Sequence, residues 1–266
     1  MQYDLHPIWN AVLDVWQEVY KICQRHNLRV YVAWGTEIGV MRHKGFIPWD
    51  DDFDVIMPRK DYNKFIEISA QELPSHLKWH SIENDPNHKF MFGKVQDERK
   101  VLVEEVRRES RLPLAQGIFI DVFPMDGLPS SYLGILIWMI RKSIMRRGYV
   151  KGTKKLSIAN VHWWLLAKLL KLDKESDISW RIRLQKWLSK YDFDTSRFVS
   201  WTLANDRFPR FIFDHDWFNG CRMLPFEGIY VPVAKEAEKH LSCVYGDYMR
   251  LPPEEKRVPT HQIAMQ

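Results

Sequence analysis

An acidic cluster directly before an apolar run is the feature of this 266-residue chain that most restricts its fold. Four of the five residues from 50 to 54 are aspartates, and residues 55–57 are all apolar. Because side chains alternate along a strand, Asp52 and Asp54 are expected on one face, with Phe53 turned into the core. The pattern therefore predicts a buried strand that begins with two neighbouring carboxylates.

Two carboxylates on one face of a strand repel each other, and the repulsion raises the pKa of each. A divalent cation relieves it, and hard oxygen ligands suit Mg²⁺ or Mn²⁺. The alternative is a solvated acidic turn, which is the commoner explanation of a lone Asp-x-Asp pair. Here the pair lies between a Gly-Thr turn and an apolar strand, with basic residues 42–44 close by, so a metal and phosphate site is favoured.

The Gly-Thr turn follows a predicted first strand over residues 29–34 and opens a short predicted helix that ends at Arg42. The N-terminus of a helix presents free N–H groups to an anion, and Gly35 lets the backbone approach phosphates closely. Thr36 can donate a hydroxyl hydrogen bond. Arg42 and Lys44 are placed to neutralise a diphosphate, although basic residues in loops are more often simply solvated.

Residues 117–127 have the composition of a buried strand that runs into a turn. Asp121 lies inside this apolar run, where an unpaired charge is costly. Asp126 directly precedes Gly127, so a turn position is expected for it.

The other elements follow from periodicity and turn signals. Apolar residues at three- and four-residue spacing predict an amphipathic helix over residues 7–26. Pro58 suits the first position of a helix that ends near Leu73, and Pro232 is expected to precede a helix over residues 233–245. Short strands are predicted at residues 53–57, 77–82, 89–95, 101–106, 199–203, 210–213 and 227–231.

Positive charge is concentrated in one segment. Residues 131–190 carry 14 Lys or Arg and 3 Asp or Glu, so their balance is +11 within a chain of net charge +5. We expect two or three basic helices there, with apolar stretches at residues 133–140 and 163–170. Such helices suit the surface of an anionic membrane, but helices that pack their apolar side on the protein are commoner. No motif supports a nucleic-acid partner.

Composition bears on the cellular location of the protein and on the ligands that it could recognise. The three cysteines are widely spaced and indicate neither a disulfide framework nor a zinc site. The N-terminal residues are not those of a secretion signal, and no uncharged apolar run approaches the ~18 residues of a membrane span. These features predict a cytoplasmic protein, either free or peripheral on the inner face of the cell membrane. The 12 Trp suit core packing or, more specifically, recognition of a sugar or a quaternary ammonium group.

Three segments of the chain resemble the LicD family of the nucleotidyltransferase-fold superfamily, which includes the fukutin-related proteins. They are RHKGFIPWDDDFDV over residues 42–55, the Asp-x-Phe-Pro-x-Asp-Gly element that begins at Asp121, and the closing segment over residues 245–257. The Gly35-Thr36 turn also resembles that of the wider superfamily. Residues 131–190 match least.

The resemblance implies an α+β fold in which helices flank a nucleotidyltransferase-like mixed sheet. We expect a catalytic core over residues 1–130, a basic amphipathic helical insert over residues 131–190, and a C-terminal part over residues 191–266 that completes the catalytic domain.

LicD proteins are phosphotransferases that move phosphocholine, or a related phospho-group, from a cytidine diphosphate donor to a sugar hydroxyl. The resemblance therefore implies a metal-dependent transferase that uses CDP-choline and a glycan acceptor, expected to be a lipid-linked precursor of teichoic acid or lipopolysaccharide. Transfer of ribitol phosphate or glycerol phosphate from a CDP-linked donor is the nearest alternative. A non-catalytic, membrane-peripheral scaffold of the same fold is another, and the clustered carboxylates argue against it.

The resemblance also implies roles for particular residues. Asp52, Asp54 and Asp121 are the expected catalytic carboxylates and ligands of Mg²⁺ or Mn²⁺, since this fold takes a third carboxylate from a neighbouring strand. The alternative for Asp121 is a cap on nearby backbone N–H groups. Lys94 resembles the family's strand lysine and is expected to reach the nucleotide or a phosphate. Glu37 stands where the family usually has an apolar residue, which leaves the transferred group open.

Overall fold

A computed structural model describes residues 4–85, 88, 90–104, 116–152, 161–169, 171, 174, 176–202, 210–258 and 263–265. The chain divides into two compact units, the first formed by Met1–Met125 with Phe213–Gln266 and the second by Asp126–Ile212. Helices flank a mixed sheet, so the predicted α+β class is confirmed.

The helices and strands have the following bounds in chain order. The α-helices are α1 (His6–Arg25), α2 (Trp34–Ile38), α3 (Arg59–Glu72), α4 (Tyr132–Gly152), α5 (Val161–Leu169), α6 (Asp177–Leu188) and α7 (Ala237–Tyr245). The strands are β1 (Tyr31–Val32), β2 (Asp54–Pro58), β3 (Leu77–His80), β4 (Gly93–Glu104), β5 (Gln116–Gly127), β6 (Phe198–Ser200), β7 (Phe213–Asp214), β8 (Cys221–Phe226), β9 (Ile229–Ala234) and β10 (Ile263–Met265). A π-helical turn, Gly39–His43, continues α2.

Three predicted site residues lie on central strands of the sheet in the first unit: Asp54 on β2, Asp121 on β5 and Lys94 on β4. The strand order is β1-β2-β5-β4-β10, and β3 also pairs with β4. Strands β2 and β5 run parallel, while β1, β3, β4 and β10 each pair antiparallel with their neighbours. Strand β2 is buried along its whole length, as expected for a strand covered on both faces.

The core of the first unit packs α1 against this sheet and against the β8–β9 hairpin. The apolar stripe of α1 is buried as its periodicity predicts. The fully buried rings of Trp16, Phe53 and Phe226 lie at the centre, and Phe226 contacts Phe46 at 4.8 Å between ring centroids. The hairpin turns through Glu227 and Gly228, which both have positive φ, as a tight two-residue turn requires.

The predicted break between two short strands at residues 89–95 and 101–106 is wrong within the described range, because β4 runs continuously from Gly93 to Glu104. Its pairing with β5 shifts register between Asp97 and Leu102, so the polar residues that suggested a turn lie in an irregular part of one strand. Residues 105 and 106 lie outside the described residues.

Two further expectations are wrong. Pro232 lies inside β9, and the helix predicted after it begins only at Ala237. A proline is tolerated there because β8 and β9 form a two-stranded hairpin with a free edge. Asp126 lies in β5 and is fully buried, where its carboxylate accepts a hydrogen bond of 2.6 Å from the Thr202 hydroxyl.

The second unit contains α4, α5, α6 and β6, so the basic segment is helical where it is described. Helices α4 and α5 pack on each other, and aromatic pairs join α4 to α6. Trp138 stacks on Trp187 at 5.6 Å between ring centroids, and Tyr149 stacks on Trp180 at 4.2 Å. Among the described residues, no helix has the length and apolar character needed to cross a membrane.

We expect Phe226→Ala to lower the free energy of unfolding by about 3–5 kcal/mol, because it removes a buried ring and leaves a cavity among aromatic neighbours. Urea unfolding followed by tryptophan fluorescence measures this change. Tyr230→Ala on β9 is the matched control, since Tyr230 is exposed and its loss should cost no more than about 0.5 kcal/mol. Equal losses in the two variants would contradict the core packing described here.

Candidate active site

Two predicted carboxylates meet through the parallel pairing of β2 and β5. Asp54 is the register partner of Asp121, and both side chains are mostly buried, with 9% and 8% of their surface exposed. Neighbouring strands lie about 4.8 Å apart, and residues in register project from the same face. The strand pairing therefore sets two acidic side chains next to each other at the centre of the sheet.

A second acidic group lies in the loop before β2. Among the described residues, Asp50, Asp51 and Asp52 are the carboxylates that offer oxygens within 4.8 Å of one another. Asp52 lies before the strand rather than in it, since β2 begins at Asp54. The loop is fixed from α1, where the Trp9 indole donates a hydrogen bond of 2.8 Å to the Asp50 carbonyl.

The structure thus places the predicted ligands in two neighbouring groups. Asp52 belongs to the compact loop trio, while Asp54 and Asp121 lie on the strands, and charge interactions couple the two groups. The carboxylate of Asp50, which is not among the predicted ligands, is part of this trio. The sequence contained a signal for this, namely three consecutive aspartates.

The electrostatics of these carboxylates fit a divalent cation. Burial raises the pKa of Asp54 well above its usual range, and the charges of Asp52 and Asp121 add to the rise. Burial and the neighbouring Asp52 likewise raise the pKa of Asp50. Crowded, desolvated carboxylates of this kind are costly without a compensating positive charge, and all-oxygen ligand sets suit Mg²⁺ or Mn²⁺.

Lys94 supplies part of the positive charge that offsets these carboxylates. Its ammonium group forms an ion pair of 2.5 Å with a carboxylate oxygen of Asp121 and lies 3.5 Å above the centroid of the Phe119 ring. Both residues of the ion pair are nearly buried. The lysine predicted to reach a nucleotide is therefore held by Asp121 on the face of the sheet from which this aspartate projects.

Gly35 and Thr36 lie within the first turn of α2, which begins at Trp34, so the helix does not start after a Gly-Thr turn as predicted. The Thr36 hydroxyl oxygen accepts a hydrogen bond of 2.9 Å from the Asp54 backbone N–H, which ties the turn to the start of β2 and leaves the hydroxyl proton available for donation. Any side chain at Gly35 would collide with the Asp50 carboxylate. The absence of a side chain at Gly35 therefore makes room for the acidic loop.

Arg42 and Lys44 occupy different environments. The Arg42 guanidinium donates hydrogen bonds to the carbonyls of Tyr248 at 2.7 Å and Arg250 at 3.3 Å, so it anchors the closing segment of the chain. Its partial burial lowers its pKa. Lys44 is exposed, has a left-handed backbone with φ 58°, and ends the π-helical turn that carries Arg42.

A cavity of about 560 Å³ lies where the closing segment meets α2 and the loop before the aspartates. This volume is typical of small-molecule sites. Trp49, Tyr245, Tyr248, Asp247 and three arginines form much of its lining: Arg42, Arg250 and Arg257. The Arg257 guanidinium lies 5.8 Å from the centroid of the Trp49 ring.

The cavity adjoins the acidic residues. Trp49 directly precedes Asp50 in the chain. Tyr245 is partly exposed as a whole, yet removal of its hydroxyl from water raises its pKa, and the charges of Asp54 and Asp50 add to the rise. The closing segment was singled out by its resemblance to the family, but only the fold brings its Tyr245 within electrostatic range of the aspartates.

The structure gives a physical reason for a glutamate at position 37, where the family usually has an apolar residue. Its side chain is fully buried, and its carboxylate lies 2.6 Å from Nδ1 of His240 on α7, which is also fully buried. Burial raises the pKa of Glu37, and His240 opposes that rise. The pair joins α2 to α7 and thereby ties the Gly-Thr turn to the C-terminal part of the first unit.

The mixed sheet with carboxylates on adjacent strands lies next to α2, whose first turn contains Gly35 and Thr36, as the predicted nucleotidyltransferase-like fold requires. Residues 27–131 match the family profile described as "LicD/FKTN/FKRP, nucleotidyltransferase domain". This part of the chain is therefore identified as a LicD-type nucleotidyltransferase domain.

Individual proteins also match the chain. The chain is 28% identical over 251 residues to the "Lipopolysaccharide cholinephosphotransferase LicD" of Haemophilus influenzae, a match that covers 94% of this chain and 92% of that protein. An uncharacterised protein of Rickettsia typhi is 28% identical over 61 residues, which cover 23% of this chain and 20% of that protein. One of Rickettsia prowazekii is 27% identical over 63 residues, with coverages of 24% and 22%.

We expect His240→Ala to lower the free energy of unfolding by about 3–5 kcal/mol near neutral pH, because it leaves Glu37 buried without its partner. The substitution removes the group that opposes the raised pKa of Glu37, so this pKa rises further. A carboxyl whose pKa is higher in the folded state loses stability as pH rises from its unfolded value of about 4.3. Urea unfolding should therefore show a smaller loss near pH 5 than near pH 7.

The control is the double variant His240→Ala with Glu37→Gln, which has no titrating carboxyl in this position. The added pH dependence should disappear in it. A loss of equal size at both pH values in His240→Ala itself would show that Glu37 is not the titrating group.

Proposed function

We propose that the chain transfers phosphocholine from CDP-choline to a sugar hydroxyl of a cell-surface glycan precursor, with Mg²⁺ or Mn²⁺ bound. The observation that carries the proposal is the meeting of two acidic groups, Asp50–Asp52 in the loop and Asp54 with Asp121 on the sheet, at the Gly-Thr turn of α2. A non-catalytic scaffold has no need for such crowded carboxylates.

The comparisons support the class of activity. The chain is a LicD-like phosphotransferase, since its family domain is matched and its Haemophilus influenzae relative over nearly the whole length is named a cholinephosphotransferase. That name specifies lipopolysaccharide for the relative. For this chain we propose the shared chemistry, a choline-phosphate donor and a glycan acceptor. A lipid-linked precursor of lipopolysaccharide or teichoic acid at the inner face of the cell membrane would meet that requirement.

In this reaction the acceptor hydroxyl oxygen attacks the phosphorus that carries choline. The bond from that phosphorus to the oxygen bridging the two phosphates breaks, CMP leaves, and the hydroxyl proton is lost. Phosphoryl transfer asks the protein mainly for positioning and for neutralisation of charge. Asp52, Asp54 and Asp121, with Asp50 and Asp51 beside Asp52, would hold a divalent cation, which would neutralise the phosphate oxygens and lower the pKa of the acceptor hydroxyl.

The chain's own residues perform the positioning. Lys94 holds the Asp121 carboxylate on the face of the sheet, and Thr36 fixes the start of β2 while retaining a hydroxyl proton for an oxygen of the donor. The cavity beside the aspartates offers aromatic faces and arginines, which suit the base and phosphates of a nucleotide. Arg42 lines this cavity and also holds Tyr248, another lining residue, through a hydrogen bond to its carbonyl.

A nucleotide-release assay tests the proposal. Purified protein is given CDP-choline, CDP-ribitol or CDP-glycerol with Mn²⁺ and candidate acceptor glycans, and CMP is measured. Release that requires CDP-choline and an acceptor supports phosphocholine transfer. Release from CDP-ribitol or CDP-glycerol alone would reassign the transferred group, and no release with any donor would favour the scaffold.

Asp54→Asn should reduce turnover at least about a hundredfold, because it removes a carboxylate at the meeting point of the two acidic groups. Its thermal stability without metal should hold or rise, since a like-charge neighbour of Asp121 is lost. Turnover is measured as CMP release with Mn²⁺, and stability is measured by melting in the presence of a chelator.

Asp14→Asn is the matched control, since Asp14 is exposed on α1 and lies outside the site. It should leave turnover unchanged. Near-normal turnover of a folded Asp54→Asn protein would remove Asp54 from the catalytic assignment.

A further inference from the structure

The outward face of α4 is apolar. Five large aliphatic side chains on this helix are between 40% and 67% exposed: Leu133, Leu136, Ile137, Ile140 and Ile144. They recur at three- and four-residue spacing, so they form one continuous stripe along the helix. Surface apolar residues scattered singly are ordinary, but a contiguous stripe of this kind marks an interaction surface.

The stripe is not the side that α4 uses for packing within the second unit. Ile135, Trp138 and Lys142 occupy the buried side of the helix, where Trp138 stacks on Trp187 of α6. The helix is therefore apolar on both sides. The expectation that the apolar residues of this segment pack on the protein holds for the inner side only.

Helix α5, which packs on α4, has a second exposed apolar row. Val161, Leu165 and Leu169 lie four residues apart and are between 42% and 78% exposed. We call the exposed apolar residues of α4 and α5 the α4–α5 face.

The charge of these helices indicates what kind of surface the α4–α5 face can bind. Residues 131–172 contain nine Lys or Arg and no Asp or Glu. Arg141 and Arg147 are exposed at the C-terminal part of the stripe on α4, and Lys168 is exposed on α5. Aliphatic side chains beside exclusively basic residues complement a surface that is apolar below and negatively charged above, which describes an anionic bilayer.

We infer that the α4–α5 face docks on the surface of an anionic lipid membrane, with its aliphatic residues at the boundary between head groups and acyl chains. The basic residues would contact lipid phosphates. Each Lys or Arg near an anionic surface adds modestly to binding and salt weakens it, so the attachment is reversible. This inference goes beyond the proposed reaction and does not depend on it.

The test is sedimentation of the full chain with vesicles, without donor or acceptor, so that its outcome is independent of transferase activity. We expect binding to phosphatidylcholine vesicles that contain phosphatidylglycerol, little binding to pure phosphatidylcholine vesicles, and loss of binding at high salt. Equal binding to the two kinds of vesicle, or none to the anionic ones at low salt, would overturn the inference.

Two pairs of variants assign the binding to the face. Leu136→Gln with Ile140→Gln, and separately Arg141→Glu with Arg147→Glu, should each weaken binding about tenfold or more. The matched controls lie in the first unit, at exposed positions outside the site: Tyr230→Ser for the apolar pair and Lys64→Glu for the basic pair. The controls should bind as the unmodified chain does.

Sedimentation velocity without vesicles examines the other occupant, a second copy of the chain. A monomer that binds anionic vesicles agrees with the inference. A dimer that Leu136→Gln with Ile140→Gln separates, together with no vesicle binding by either protein, would assign the face to self-association and overturn docking on lipid. Equal loss of vesicle binding in the face variants and in their controls would also overturn docking by this face. Binding would then depend on the total charge or exposed apolar area of the protein.

Discussion

The parallel pairing of β2 with β5 is the constraint on which the site depends. It sets Asp54 opposite Asp121, while the antiparallel partner β4 sets Lys94 opposite Asp121 from the other side. Two buried carboxylates on adjacent strands would repel each other, and one lysine reduces but does not cancel their charge. The remaining negative charge, together with that of the loop trio, is the physical reason for expecting a divalent cation there.

Elements far apart in the chain hold this arrangement in place. Trp9 on α1 fixes the Asp50 carbonyl, and Thr36 on α2 fixes the backbone of Asp54. The buried Glu37–His240 pair ties α2 to α7. Polar pairs buried in this way add little net stability but are costly to break, so they favour one arrangement over its alternatives. The site is therefore assembled by the first unit as a whole rather than by its acidic segment alone.

The second unit differs from the first in its internal contacts and in its exposed surface. Its inner contacts are stacked aromatic pairs, and its outer helical faces are aliphatic beside basic residues. A LicD-like transferase that works on a lipid-linked glycan would gain from such a surface, because attachment confines enzyme and acceptor to one plane. Catalytic chemistry and placement at the acceptor would then reside in separate parts of the chain.

The local features could be predicted from the sequence: the amphipathic α1, the buried β2 and β5, the basic helices, and a cluster of carboxylates suited to a metal. These features depend on periodicity and on the cost of burying charge, both of which can be evaluated over a few neighbouring residues.

Contacts between residues that are distant in the chain, by contrast, became known only from the folded structure. The ion pair of Lys94 with Asp121 joins residues 27 positions apart, and the contact of Glu37 with His240 joins residues 203 positions apart. The cavity likewise brings Trp49 to the closing segment at the other end of the chain. Strand order and helix packing set such contacts, and no local pattern encodes them. The burial of Asp126 and the strand position of Pro232 were missed for the same reason, since a partner such as Thr202 or a free hairpin edge exists only once the chain has folded.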